Sequence, residues 1–253
     1  MTRTWLTLML IGFVPGLGCG ARGQVATSRV VVFVPGVGGD GPWYGGVKRG
    51  LGNVQVQTHS WGAPLPLFAL NFSNQGIHSA AEKKLAERLR RIAREQPDAR
   101  IDVVAHSAGC GVALGALRRL DRPIPRTVVL LAPSVSPGYD LAPPLAGVGN
   151  AIHVFHSDRD TLFLSWRTSR FGTYDNVKVR AAGNTGFDLT ALPPALRSRV
   201  VQRAYDAQWN ELGNDGGHDG PVARAFVETV VAPLLGAPAT PVAPSRSFAE
   251  SPR

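Results

Sequence analysis

Residues Arg29 to Val34 read RVVVFV, an unbroken β-branched and aromatic run. A strand that is apolar on both faces needs cover on both faces, and the common way to provide it is a parallel sheet with helices above and below. Further short runs fit the same plan: Val54 to His59 (VQVQTH), Ile101 to Ala105 (IDVVA), Arg126 to Leu131 (RTVVLL), Ala151 to Phe155 (AIHVF) and Asn176 to Ala181 (NVKVRA). Helical patterns lie between them. Ser79-Ala80-Ala81-Glu82 has the spacing of a capping box, with Leu85, Leu89 and Ile92 following on one face up to Gln96-Pro97. A second helix is expected from Ser107 towards Leu120, and a third from Pro221 to Val231, where Val222, Phe226 and Val230 are spaced four apart. Strands alternating with helices predict an α/β fold: a mostly parallel central sheet, helices on both faces, and ligands at the carboxyl ends of the strands.

With 253 residues, 44% of them hydrophobic, the chain suits one domain, expected over residues 25–235, with a core that needs no disulfide. The ends read differently. Residues 1–20 resemble an export signal: Arg3 precedes the apolar run Trp5 to Val14, and Pro15-Gly16 breaks it, too early for a comfortable membrane span. Leu17-Gly18-Cys19 also resembles a bacterial lipoprotein signal, with Gly16 where Leu is usual. Membrane anchoring through Cys19, plain secretion and an unprocessed tether all stay open, and the expected location is exported: periplasmic, membrane-anchored or secreted. Residues 236–253 are Pro-rich and small, and are expected to form a disordered tail. The net charge of +9 invites a nucleic-acid reading, but 23 of the 27 basic residues are scattered arginines with no basic cluster, so no nucleic-acid partner is expected.

The first strand runs into Pro35-Gly36-Val37-Gly38-Gly39-Asp40-Gly41-Pro42, and Gly36, Gly38 and Gly41 satisfy G-x-G-x-x-G, the dinucleotide pattern. Pro42 and Trp43 make a poor start for the helix that should face a pyrophosphate, and no Asp or Glu occurs between Asp40 and Glu82 to hold a ribose. A plain tight turn is one other reading. An oxyanion loop, whose glycines let a backbone N–H face a developing negative charge, is another.

The run Ile101-Asp102-Val103-Val104-Ala105-His106-Ser107-Ala108-Gly109 is strand, turn and helix with a serine at the apex. This is the pattern of a nucleophile elbow, G-x-S-x-G with Ala105 in place of the first Gly, followed by the small-residue helix AGCGVALGAL. Over roughly Arg29 to Leu235 the chain resembles the α/β-hydrolase superfamily, its serine esterases and lipases in particular. The resemblance implies a Ser, acid, His order, with the acid after a later strand and the His in a loop near the end. Both follow in order. After Ala151 to Phe155 come Asp158 and Asp160, and the family's spacing to the following apolar residue favours Asp160. His218 stands in Asp215-Gly216-Gly217-His218-Asp219-Gly220, the last of six histidines. The resemblance thus assigns Ser107, Asp160 and His218 as catalytic, and the backbone N–H groups of Val37 and Ala108 as the oxyanion hole. Here the loop begins Pro35-Gly36 where relatives often have His-Gly, which leaves the backbone donors in place.

His153, His156, Asp158 and Asp160 also form a ligand-like pattern. On a strand, however, His153 and His156 are an odd number of residues apart and face opposite sides, so no metal site and no cofactor are expected. Cys110, one turn into the elbow helix, reads as a small core residue.

The substrate is less legible. Residues 132–150 are too few for a helical cap and predict a small lid or an open cleft. Leu65, Leu67, Phe68, Leu70 and Phe72 could wall an acyl pocket or be ordinary core, and residues 182–215 could form a helical insertion over the cleft. The leading expectation is a serine hydrolase of carboxylic esters. Acyl transfer or amide and thioester hydrolysis by the same residues, and a non-catalytic binding module, are the alternatives.

Overall fold

A computed structural model describes residues 28–63, 67–160, 168–169 and 172–236. The expected export signal with Cys19, and all of the expected tail beyond residue 236, lie outside the described residues. So do Leu65 and the side chain of Phe68.

Six strands form one sheet: β1 (Arg29–Val34), β2 (Gln55–Thr58), β3 (Arg100–His106), β4 (Thr127–Leu131), β5 (Ala151–His156) and β6 (Val200–Ala204). Their order is β2-β1-β3-β4-β5-β6 and every pairing is parallel, with Val34 opposite Ala105 and Leu131 opposite Phe155. The chain starts near one edge, steps outward once and then winds back across the sheet. The reversal falls at the carboxyl end of β1, next to β3, where such sheets place ligands.

The first strand shows why its sequence is apolar throughout. Val30, Val32 and Val34 pack on one face with Leu85, Leu89 and Leu114. Val31 and Phe33 pack on the other with Val47, Phe226 and Val227. The first face is covered by α2 (Gln75–Glu95) and α3 (Gly109–Leu117). The second is covered by α1 (Gly45–Gly50) and by the helical turns Arg224–Phe226, Val227–Val231 (π-type) and Ala232–Gly236. Helix α2 buries Ala81, Leu85, Leu89 and Ile92, the stripe its sequence predicts. It begins one turn before the expected capping box: the Asn74 side chain accepts from the Ile77 N–H, and Ser79 lies inside the helix, exposed.

Three expectations need correction. Asn176 to Ala181 is not a strand. Asn176 has φ +61°, Val177 and Val179 are exposed, and Thr173 ties the segment into a local turn through Val177. The alternating apolar pattern there has no partner strand, because β6 occupies the free edge of β5. Residues 182–215 are not a helical insertion either. They hold the four-residue turns Ala182–Thr185 and Pro194–Arg197, then β6 itself, and a 3₁₀ turn at Ala207–Leu212. Finally, Pro221 belongs to a separate 3₁₀ turn, Gly220–Val222, and Ala223 in extended conformation breaks the chain before helix resumes at Arg224.

Between β4 and β5 there is one short helix, Ala142–Ala146. Leu141, Leu145 and Val148 of this stretch are buried in the core beside α3, so residues 132–150 form part of the body rather than a lid. Among the described residues no helix is long and apolar enough to cross a membrane.

Candidate active site

At the carboxyl end of β3 the chain turns sharply at Ser107, which has φ +55°. That left-handed conformation is unfavourable for a residue with a Cβ, by about 1–3 kcal/mol, and persists only where surroundings fix it. Here they do. The Ser107 N–H donates to the Leu131 carbonyl at 3.0 Å, and its carbonyl accepts from the N–H groups of Cys110 and Ser134. Gly109 is required for the turn to close, since a Cβ there would overlap the carbonyl oxygens of Val34 and Pro35. The elbow helix is therefore pressed against the end of β1.

Gly36 meets the elbow from the other side. A Cβ at Gly36 would lie 3.1 Å from the Ser107 Cβ and 3.5 Å from its Oγ. The loop is held in place by a turn from the Gly39 N–H to the Gly36 carbonyl, by the Asn71 amide donating to the Val37 carbonyl, and by the Trp61 indole N–H donating to the Pro35 carbonyl. Ala108 follows Ser107 in the chain and Val37 follows the Gly36 that packs on it, and neither N–H donates to another group among the described residues. The glycine pattern does not lead into a phosphate-binding helix. Gly41 makes room for the Trp43 ring, Pro42–Tyr44 form a 3₁₀ turn, and α1 is only six residues long.

Asp160 is buried, 3% exposed, in the turn after β5; its carbonyl accepts from the Asn184 amide at 2.7 Å. His218 lies in the glycine-rich loop that follows Leu212. Asn214 and Asp215 accept from the N–H groups of Gly216 and Gly217, and Gly216 takes φ +84°. These loops bring three side chains into line. His218 Nδ1 is 2.7 Å from Asp160 Oδ2, and His218 Nε2 is 2.9 Å from Ser107 Oγ. An ionised carboxylate only accepts, so Nδ1 carries the ring proton and the Nε2 lone pair faces the serine hydroxyl. Asp158, two residues before Asp160, is exposed to solvent.

Other candidates separate from this line. His153 is buried and accepts from Arg203 Nη1 at 2.9 Å; burial first, then the Arg203 charge, lower its pKa to about 4. Burial also lowers that of half-buried His156. Among the described residues no group of three or more His, Cys, Asp or Glu side chains is placed to hold a metal. Cys110 is fully buried, and burial raises its thiol pKa, so it stays protonated core. Leu67 and Leu70 are exposed rather than walls of a buried pocket.

Two residues without an assigned role in the sequence stand next to the line. His106, buried and immediately before Ser107, has its ring 4.8 Å from that of His218. Tyr44 lies 5.5 Å beyond it, centroid to centroid. His106 offered a signal in being a polar residue at the end of an apolar strand; Tyr44 sits in a turn without a motif.

The parallel six-stranded sheet, covered on both faces, with an elbow after β3, is the architecture of an α/β hydrolase. The chain belongs to the family described as Alpha/beta hydrolase of unknown function (DUF900), whose model matches residues 48–193. That span includes Ser107 and Asp160; the Gly36 loop and His218 fall outside it. Among solved structures, lipase B of Aspergillus fumigatus is similar over 88% of this chain and 56% of its own, with 14% identity and a TM-score of 0.51. The chain therefore spans little more than half of that lipase's length. A cutinase-like protein from Cryptococcus sp. is similar over 84% of this chain and 97% of its own, with 12% identity and a TM-score of 0.46. At these identities the likeness is one of fold. No curated protein sequence matches the chain.

Proposed function

We propose that the protein is a serine hydrolase of carboxylic esters, acting through an acyl-enzyme on Ser107. The observation that carries the reading is the continuous line Asp160–His218–Ser107, at 2.7 and 2.9 Å, at the carboxyl edge of the sheet. In this reading Ser107 Oγ adds to the ester carbonyl carbon while its proton passes to His218 Nε2. Asp160 holds the imidazole in register and stabilises its positive charge. The negative charge forming on the carbonyl oxygen is met by the N–H groups of Val37 and Ala108, each worth about 3 kcal/mol of barrier. Collapse of the tetrahedral intermediate breaks the ester C–O bond, and His218 returns the proton to the departing alkoxide. Water, deprotonated by the same imidazole, then releases the acid and restores Ser107. The sequence of steps uses no metal or organic cofactor.

Exposed apolar side chains accompany the site: Trp43 beside Gly38 and Gly41, and Leu67 and Leu70 on the 3₁₀ turn whose Asn71 is tied to Val37. They favour a substrate with an apolar acyl or alcohol part over a charged one. The test is labelling of the intact protein with a fluorophosphonate probe, followed by turnover of p-nitrophenyl esters of increasing chain length. One adduct per chain is expected, lost in Ser107→Ala together with turnover, a loss on the order of 10⁶-fold in kcat. An unlabelled wild-type protein, or an adduct that survives Ser107→Ala, overturns the proposal.

A further inference from the structure

Three bonds connect the loop before Val37 to the loop that carries His218, and none of them involves the three aligned side chains. The Gly36 N–H donates to the Tyr44 hydroxyl oxygen at 2.9 Å. The Tyr44 oxygen lies 2.8 Å from His106 Nδ1. His106 Nε2 lies 3.0 Å from the backbone carbonyl oxygen of His218. The two ends fix the direction of the outer bonds, and a neutral imidazole at His106 fixes the middle one. An amide N–H can only donate, so Tyr44 accepts from Gly36 and gives its own proton to His106 Nδ1. A carbonyl can only accept, so His106 carries its single ring proton on Nε2 and donates it to His218. One arrangement satisfies all the groups, and it requires a neutral imidazole at His106.

Both side chains that make this connection are interior: Tyr44 is 3% exposed and His106 1%. Tyr44 is further fixed edge-on against Phe33 of β1, with ring centroids 5.0 Å apart. Burial first, and then the neighbouring His218, lower the pKa of His106 to about 3, so it does not share the proton that His218 is asked to carry. At the Gly36 end the geometry is tight. A Cβ there would be 3.1 Å from both the Tyr44 hydroxyl and the Ser107 Cβ. The peptide pinned by Tyr44 thus bears directly on Ser107 and continues into Val37.

We propose that Tyr44 and His106 are a positioning pair that sets the distance between the oxyanion loop and the base-bearing loop, acting on the reaction through Val37 and His218 without touching substrate. The proposal rests on the serine-hydrolase reading. Its consequence is kinetic: loss of the connection leaves the binding surface intact but lets donor and base drift from the reacting atoms, and errors near 1 Å there can cost about 10²-fold in rate.

The test uses the full chain. Wild-type protein and Ser107→Ala are first labelled with a fluorophosphonate, so that the triad is judged on its own; an unlabelled wild type strikes the triad and not merely the pair. Tyr44→Phe, His106→Phe and His106→Gln are then compared for kcat, KM and Tm. Tyr44→Phe keeps the ring and removes only the hydroxyl, so it remains informative even if His106→Phe fails to fold. The expected result for Tyr44→Phe is kcat lower by about 10- to 100-fold with KM changed less than threefold. His106→Gln, whose amide offers one acceptor and one donor, should recover to within about fivefold of wild type while His106→Phe does not. A labelled wild type together with unchanged kcat in Tyr44→Phe overturns the proposal. Equal impairment of His106→Gln and His106→Phe also overturns it, since a filler role would not distinguish them.

Discussion

Asp158 and Asp160 stand two residues apart after the same strand, and their environments differ completely. Asp160 is 3% exposed and faces His218 Nδ1, whereas Asp158 points into solvent. The two substitutions to asparagine therefore should diverge. Asp160→Asn removes the acceptor that selects the Nδ1–H tautomer, and kcat should fall by about 10⁴-fold. Asp158→Asn should stay within about twofold, because an exposed carboxylate without a fixed partner contributes little. Steady-state kinetics on a soluble ester compares them directly; similar losses would remove Asp160 from its assigned place. At this scale the sequence carried much of the candidate site. Ala105 and Gly109 stand two residues either side of Ser107, and Gly216 and Gly217 precede His218, in turns that take φ +55° at Ser107 and φ +84° at Gly216. Tyr44 and His106 were not legible as a pair. Their relation arises across 62 residues of chain, and an Nδ1 or an hydroxyl leaves no mark on periodicity.

Helix α3 shows how an element, more than a residue, holds the elbow. Its glycines face three neighbours: Gly109 the end of β1, Gly111 the ring of Tyr174, and Gly115 the carboxylate of Glu82. Gly109→Ala forces a Cβ into the carbonyls of Val34 and Pro35, which are fixed by the sheet and cannot swing aside. Displacing the helix should lower stability by about 1–3 kcal/mol, as overpacking does elsewhere. Urea unfolding should register that loss with an unchanged m-value, and a neutral result would contradict the close approach. Elements were legible where their burial was uniform, as in β1 and β4, or sharply one-sided, as in α2. Strand β6 was not: Val200 is buried but Val201, Gln202 and Arg203 are only half-buried, the pattern of an edge. The run from Asn176 to Ala181 had the better alternation and no strand to pair with. Pattern reports which residues could form a strand; only the neighbouring backbone decides which do.

For the molecule as a whole, buried histidines set the response to acid. His106, with a pKa lowered from 6.5 to about 3, and His59 and His153, each lowered to about 4, are neutral in the fold chiefly because burial disfavours their charge. The unfolded chain takes up protons near pH 6.5 that the folded chain refuses. Stability is therefore complete above that pH and is lost progressively as pH falls towards 4 and below. At pH 5 His106 alone accounts for about 2 kcal/mol. Denaturation free energies measured from pH 7.5 to 4.5 should decline accordingly, with net proton uptake on unfolding. A flat profile would mean that these rings find room for their charge.

The base of the proposed reaction arrives after the sheet. In chain order His218 follows all six strands, while Ser107 lies in the middle of the sheet. Domains emerge from the ribosome amino end first and tend to fold as units. A growing chain can thus pair its strands and bend its elbow long before any imidazole reaches the serine. In the proposed serine-hydrolase reading, Ser107 is until then an ordinary alcohol with no base beside it.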